Sequence, residues 1–209
     1  MKSIKILGLA LCAVLATSAF AAASALALPE YSKTKVKFTS TSGESILKTG
    51  GTTVTCKKDT DTGEITTSTE STSKVTFTEC TGPFGASCNS PGAKSGVIET
   101  ASLTSKLGYI NKSKKEVGEL LKPTSGTNFV TIECFGIKSE TTGSVIGRIT
   151  PVNTKSTKST LSFKESGGKQ EVTKFEGESG TNTLKAFGEE ATETSTDEIT
   201  TAEALEIKA

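Results

Sequence analysis

The chain has 209 residues, a formal net charge of +1 with 22% charged residues, five Cys, no Trp and no His. Such a balance leaves no basic or acidic field able to steer the chain to nucleic acid or to an anionic membrane. Lacking His, it cannot be a Ser-His-Asp hydrolase, a Cys-His protease or a His-ligated metal hydrolase.

The first element is an export signal. Lys2 and Lys5 precede an apolar run from Ile6 to Phe20, and small residues then offer two A-x-A cuts, after Ala23 or after Ala27. The charged, apolar and small-residue regions come in that order, and the apolar part is too short to remain as a membrane span. Cys12 lies too early to be a lipoprotein anchor and leaves with the signal. The mature chain, residues 28–209, reads as a single β-rich domain in an oxidising compartment, with no transmembrane segment of its own.

Roughly 60 residues are Ser or Thr, far above ordinary usage. Thr is β-branched and suits a pleated, half-exposed surface, and apolar residues recur at period two along most of the chain. Strands are predicted at Lys35 to Ser40, Thr52 to Cys56, Glu64 to Ser68, Lys74 to Glu79, and Ser95 to Ile110 with an interruption. Further strands are predicted at Glu116 to Leu121, Asn128 to Phe135, Ser144 to Val152, Thr160 to Lys164, Gln170 to Phe175, Thr183 to Phe187 and Glu198 to Ile207. Between them lie turn clusters such as Asp59 to Gly63, Asn111 to Lys114, Thr124 to Thr127 and Gly167 with Gly168. The one helix candidate is Thr201 to Lys208. Many short strands at close spacing predict an all-β fold, an antiparallel sandwich or barrel.

Cys56, Cys80, Cys88 and Cys134 remain after processing, an even number that implies two disulfides. Cys56 shares parity with Val54, and Cys134 with Val130 and Ile132, so both face inward. Cys80 comes out of phase with Val75 and Phe77. The expected pairs are therefore Cys56 with Cys134 as a core staple and Cys80 with Cys88 as a clamp across TGPFGAS. Their spacing matches no zinc pattern.

Three patterns suggest chemistry and have plainer explanations. Ser45 with Lys48 and Ser71 with Lys74 match S-x-x-K, a spacing that a Ser- and Lys-rich chain produces by chance. Glu116 with Glu119 and Glu189 with Glu190 are carboxylate pairs only by proximity and read as solvated faces. Asp59 to Glu64 begins like a calcium loop, but Gly63 replaces the third ligand and no bidentate Glu stands at the right distance; a hairpin turn between Cys56 and Ile65 accounts for it. No residue is thus assigned to catalysis, to a cofactor or to a metal.

The stretches SGESILKTGGTTVTCKKDTDTGEI, VTFTEC, LGYINKSKKEVG, GSVIGRITPVN and KQEVTKFEG together resemble a group of exported proteins of soil actinobacteria to which no activity is attached. The resemblance implies secretion, an all-β fold and a bacterial source, and no site residues. The sequence is then expected to encode a non-enzymatic, disulfide-stapled β-domain of the cell envelope or the extracellular space, acting on a wall component or other extracellular ligand. The alternatives are a secreted carboxylate-based hydrolase and a β-barrel holding a small apolar ligand.

The exported form should begin at Ser24 or Leu28, as read by mass spectrometry of the secreted protein; a mature chain retaining Met1 would contradict this.

Overall fold

The computed structural model describes residues 27–209, so the expected signal peptide and its Ala23 cut lie outside the described residues. Eight strands form the frame: β1 (Val36–Ser42), β2 (Lys58–Ile65), β3 (Glu70–Thr78), β4 (Leu103–Asn111), β5 (Glu116–Pro123), β6 (Val145–Thr150), β7 (Ser156–Phe163) and β8 (Thr192–Leu205). Each pairs antiparallel with its sequence neighbour, and β8 also pairs with β1, so the sheet closes on itself as an up-and-down barrel. Closure removes both sheet edges. The two architectures expected from sequence thus resolve to the barrel.

Period-two alternation sets the two faces. Val36, Ile65, Leu103, Leu107, Val117, Leu121, Val145, Ile149, Leu161, Phe163 and Ile199 are buried and fill the interior. Lys37, Thr39, Thr41, Lys58, Thr60, Thr62 and Lys74 alternate with interior positions and lie on the outside. A polar exterior around an apolar interior is the reverse of a membrane-spanning barrel. No helix among the described residues is long and apolar enough to cross a membrane. An apolar patch on the outer wall, Leu120 and Ile146 with Ile110, is covered by Val172 and Phe175. Phe175 lies so close to Gly108 that a Cβ there would stand 2.3 Å from its ring, so the wall needs glycine at that point.

In an up-and-down ring, successive connections alternate between the two ends. Here 66–69, 112–115 and 151–155 are short and share one end, which also carries the pairing of Glu30–Tyr31 with Ile207–Lys208. At the 112–115 turn the Asn111 side chain accepts from Ser113 Oγ (2.8 Å) and Lys114 N (3.0 Å), the local bonding expected of Asn there. The four long insertions, 43–57, 79–102, 124–144 and 164–191, all emerge at the opposite end. They interlock into a cap. Ser45–Lys48 pairs with Thr53–Cys56 and with the start of β8. A second small sheet runs Glu189–Glu190, Lys185–Ala186, Ile137–Thr142, Asn128–Cys134 and Cys88–Asn89.

Two disulfides tie neighbouring insertions, and their pairing corrects the expected one: Cys56 bonds Cys80, and Cys88 bonds Cys134. One backbone position accounts for the difference. Glu79 adopts a left-handed φ of 54°, which resets the alternation after Phe77 and turns Cys80 inward, where it is 1% exposed. Cys80 then lies beside the bridge between Thr55 and Thr81 and reaches Cys56, while Cys134 stands directly opposite Cys88 on the adjacent strand. Gly82 packs against the second bridge, where a Cβ would come within 2.6 Å of Cys88 Sγ.

Three further expectations change. Thr201 to Lys208 is strand, not helix, because it completes β8 and then pairs with the N-terminal strand. Gln170 to Phe175 is mostly irregular and drapes over the outer wall. Asp59 to Gly63 is no turn but the middle of β2, and the turn falls at 66–69, overlapping the strand expected at Glu64 to Ser68.

Peptide mapping without reduction should recover Cys56 linked to Cys80 and Cys88 linked to Cys134; a Cys56–Cys134 peptide would refute the pairing. With sequence separations of 24 and 46 residues, chain entropy assigns the bridges about 3.5 and 4 kcal/mol, so a Cys134→Ala variant should lose about 2 to 5 kcal/mol of stability.

Candidate functional site

Beneath the cap, the upper barrel lines a chamber of about 100 Å³. Val75, Phe77, Leu103 and Leu121 contribute to its walls, and Val54, Ile98, Val130, Ile132 and Leu184 roof it from the insertions. Asp59 and Asp61 of β2 and Glu193 and Asp197 of β8 break this apolar surface from one side. The barrel register brings them together: Ser42 of β1 pairs with Asp197 on one flank and Asp59 on the other, and Ser40 likewise separates Ile199 from Asp61.

Asp59 is 2% exposed, and its Oδ2 accepts hydrogen bonds from Ser42 Oγ and from Ser45 Oγ, the latter at 2.8 Å. Asp197 receives one from Ser195 Oγ at 3.2 Å and stands across Ser42 from Asp59. Asp59 Oδ1, Asp61 Oδ1, Glu193 Oε1 and Ser40 Oγ are buried without any partner. Among the described residues, no Lys or Arg lines the chamber. Gln170 fixes the start of β8: its Oε1 accepts from Glu193 N (2.9 Å), while its Nε2 donates to Glu193 O (3.0 Å).

Burial without a cation disfavours the charged carboxylates. Burial chiefly, and then the charge of Glu119, lifts Asp61 to about 7. Asp197 is lifted to about 8 by burial and by neighbouring Asp59, and Glu193 stands well above the usual range because of burial, then Asp197 and Asp59. Around neutral pH this wall therefore holds protons that exposed carboxylates would have released.

A smaller chamber of about 40 Å³ lies toward the other end, and Asp61, Leu121, Leu161 and Ile199 border both. Its acid is Glu119, 5% exposed, whose Oε1 accepts from Tyr31 Oη (3.2 Å), Ser71 Oγ (3.2 Å) and Ser105 Oγ. Burial raises Glu119 and also raises Tyr31, well above its usual value. With three donors on one oxygen, this group anchors the N-terminal strand to the barrel floor.

The pairings suggested by spacing do not form. Glu116 lies outside, 2.9 Å from Arg148, while Glu119 lies inside, because positions three apart on a strand face opposite sides. The same parity separates Ser71, which is buried, from Lys74, which bonds Glu99 outside, and buried Ser45 from Lys48, which reaches Glu165. Glu189 and Glu190 are exposed in the cap. Among the described residues, no three Cys, Asp or Glu converge in a geometry that holds a metal ion. The acids that do converge are not singled out by the sequence, although Asp59-Thr60-Asp61 and Glu193-Thr194-Ser195-Thr196-Asp197 carry the alternation that signals them.

The raised acids give stability a definite pH dependence. Between the ordinary carboxylate range near 4 and their raised values of about 7 and 8, the folded chain binds more protons than the unfolded one. Stability must therefore fall as pH rises through that window. Glu116, lowered by Arg148, acts in the opposite sense only at more acid pH, and its exposure weakens the effect. The Tm should drop between pH 5 and pH 8, and Asp61→Asn should regain about 2 kcal/mol, or about 4 to 8 °C, at pH 8 and little at pH 5. A Tm that climbs over this range would contradict the burial of these groups.

No protein-family model, no curated protein and no solved structure matches this chain.

Proposed function

We propose that the chain is exported and acts as a non-catalytic binding protein, holding a small ligand inside the barrel beneath the cap. The observation that carries this reading is the roofed, mainly apolar chamber within the closed ring. Ligand sites are concave and apolar with a few convergent polar groups, and barrel mouths are common places for them. The available space suits a ligand of about benzene's size or smaller, since an engineered apolar cavity of about 150 Å³ takes benzene. Two further features support an extracellular setting: paired cysteines, and the charged and apolar order of residues 1–27.

Hydrolysis by paired carboxylates fits less well. Glycosidases hold their two acids about 5 to 9.5 Å apart with a sugar between them. Asp59 and Asp197 instead flank Ser42 on neighbouring strands and face a chamber of about 100 Å³, less than the cavity of about 150 Å³ that takes benzene.

Small organic fragments titrated into the isotopically labelled protein should shift the methyl signals of Val75, Ile98 and Leu121, with no turnover of peptidoglycan, polysaccharide or ester substrates. Ile132→Phe fills the chamber from the cap and should abolish those shifts while keeping a folded spectrum, at a cost of about 1 to 3 kcal/mol. Turnover that disappears in Asp197→Asn would overturn the reading and promote the enzyme.

A further inference from the structure

We propose that the chamber under the cap takes a small organic ammonium ion, its nitrogen against the wall that carries Asp59, Asp61, Glu193 and Asp197 and its carbon chain against Val75, Leu121 and the cap. This rests on the ligand-binding reading above and adds the charge and shape of the ligand. The acids alone would not carry it. The second observation is that Ser40 Oγ, 3% exposed, and Asp59 Oδ1 lie on the chamber wall with no hydrogen-bond partner, as do Asp61 Oδ1 and Glu193 Oε1.

Buried polar atoms are normally satisfied, and leaving each one bare is unfavourable enough to be rare. Here every unpartnered atom on the chamber wall is an oxygen able to accept, and they gather on one side of an apolar space. Once these carboxyls ionise, what is missing from such a site is a donor with several hydrogens, positively charged, attached to an apolar body. A primary ammonium has three donors in tetrahedral array and meets that description. An inorganic ion would leave the opposite wall, from Val75 to Leu184, without a partner.

The groups facing this side of the chamber are Asp59 and Asp61 from β2, Glu193 and Asp197 from β8, and the hydroxyls of Ser40, Ser45 and Ser195 from β1, the first insertion and β8; the cap contributes Thr100 and Thr141 and, among the described residues, no cation. Because Asp61 and Asp197 retain protons around neutrality, an arriving ammonium forces ionisation. One carboxylic acid gives its proton to the buffer, the carboxylate left behind pairs with the ammonium, and the net charge of the site is unchanged. Binding should therefore release up to one proton and should strengthen from pH 5 to pH 8.

The test uses the mature chain at pH 8 with n-butylammonium, 1-butanol and butyrate, ligands of similar size, followed by NMR titration and by calorimetry in two buffers of different ionisation heat. The expected result is that butylammonium binds at least about tenfold more tightly than butanol, that butyrate does not bind, and that the buffer dependence reports proton release. Asp197→Asn should remove the preference for the ammonium while leaving butanol binding in place. Equal or tighter binding of butanol would overturn the ammonium assignment and leave the ligand-binding reading standing. A response to calcium or potassium with none to butylammonium would overturn the assignment in favour of an inorganic ion. If none of the three organic ligands nor any fragment perturbs the chamber, the ligand-binding reading itself fails.

Discussion

Pairing of β7 with β8, and of β8 with β1, is the constraint on which the rest depends. Once the ring is closed, every strand has an inside and an outside, and parity alone decides which side chains meet. Closure also fixes the ends: with strands running alternately up and down, insertions after β1, β3, β5 and β7 must all emerge together. A cap is the geometric result. Had the sheet stayed open, Asp59 and Asp197 would be brought together only by the chance curvature of distant strands.

Cap and barrel rely on each other through the sulfur cluster. Cys56, Cys80, Cys88 and Cys134 pack with Val54, Ile98, Val130 and Ile132 into one apolar block that forms the roof. The bridges join the first insertion to the second and the second to the third. The fourth is held by strand pairing and by Gln170 instead. Holding the roof this way keeps it from collapsing into the chamber, and it keeps the apolar wall opposite the acids.

The carboxyl groups of the upper chamber work against this stability. Asp61, Glu193 and Asp197 are each buried in a low-dielectric space with no basic partner among the described residues, and folded stability is lowered as pH rises through their raised values. Glu119 shows that this chain can satisfy a buried acid when it serves structure, with Tyr31, Ser71 and Ser105 all donating to it. Asp61 and Glu193 each keep a buried oxygen with no donor. The contrast between the two chambers favours the upper one as the place of function.

By itself, the sequence determined the all-β class, most of the strands and the inward faces of Val54, Cys56, Val130, Ile132 and Cys134, because period-two alternation is a local property that survives any tertiary arrangement. It could not determine the disulfide partners, since one residue with positive φ, Glu79, inverts the parity that any such reading must assume. Nor could it place Asp59 and Asp61: both are turn-forming types next to Gly63, and their local preference for a turn was overridden by pairing with β1 and β3 on either side. The strand over Thr201 to Lys208 was ambiguous for the same reason, its type being settled by what it pairs with. The chamber lay furthest out of reach. Its walls come from residues 40 to 199 and meet only because the ring closes, and no local pattern records which strands will be neighbours across a lumen.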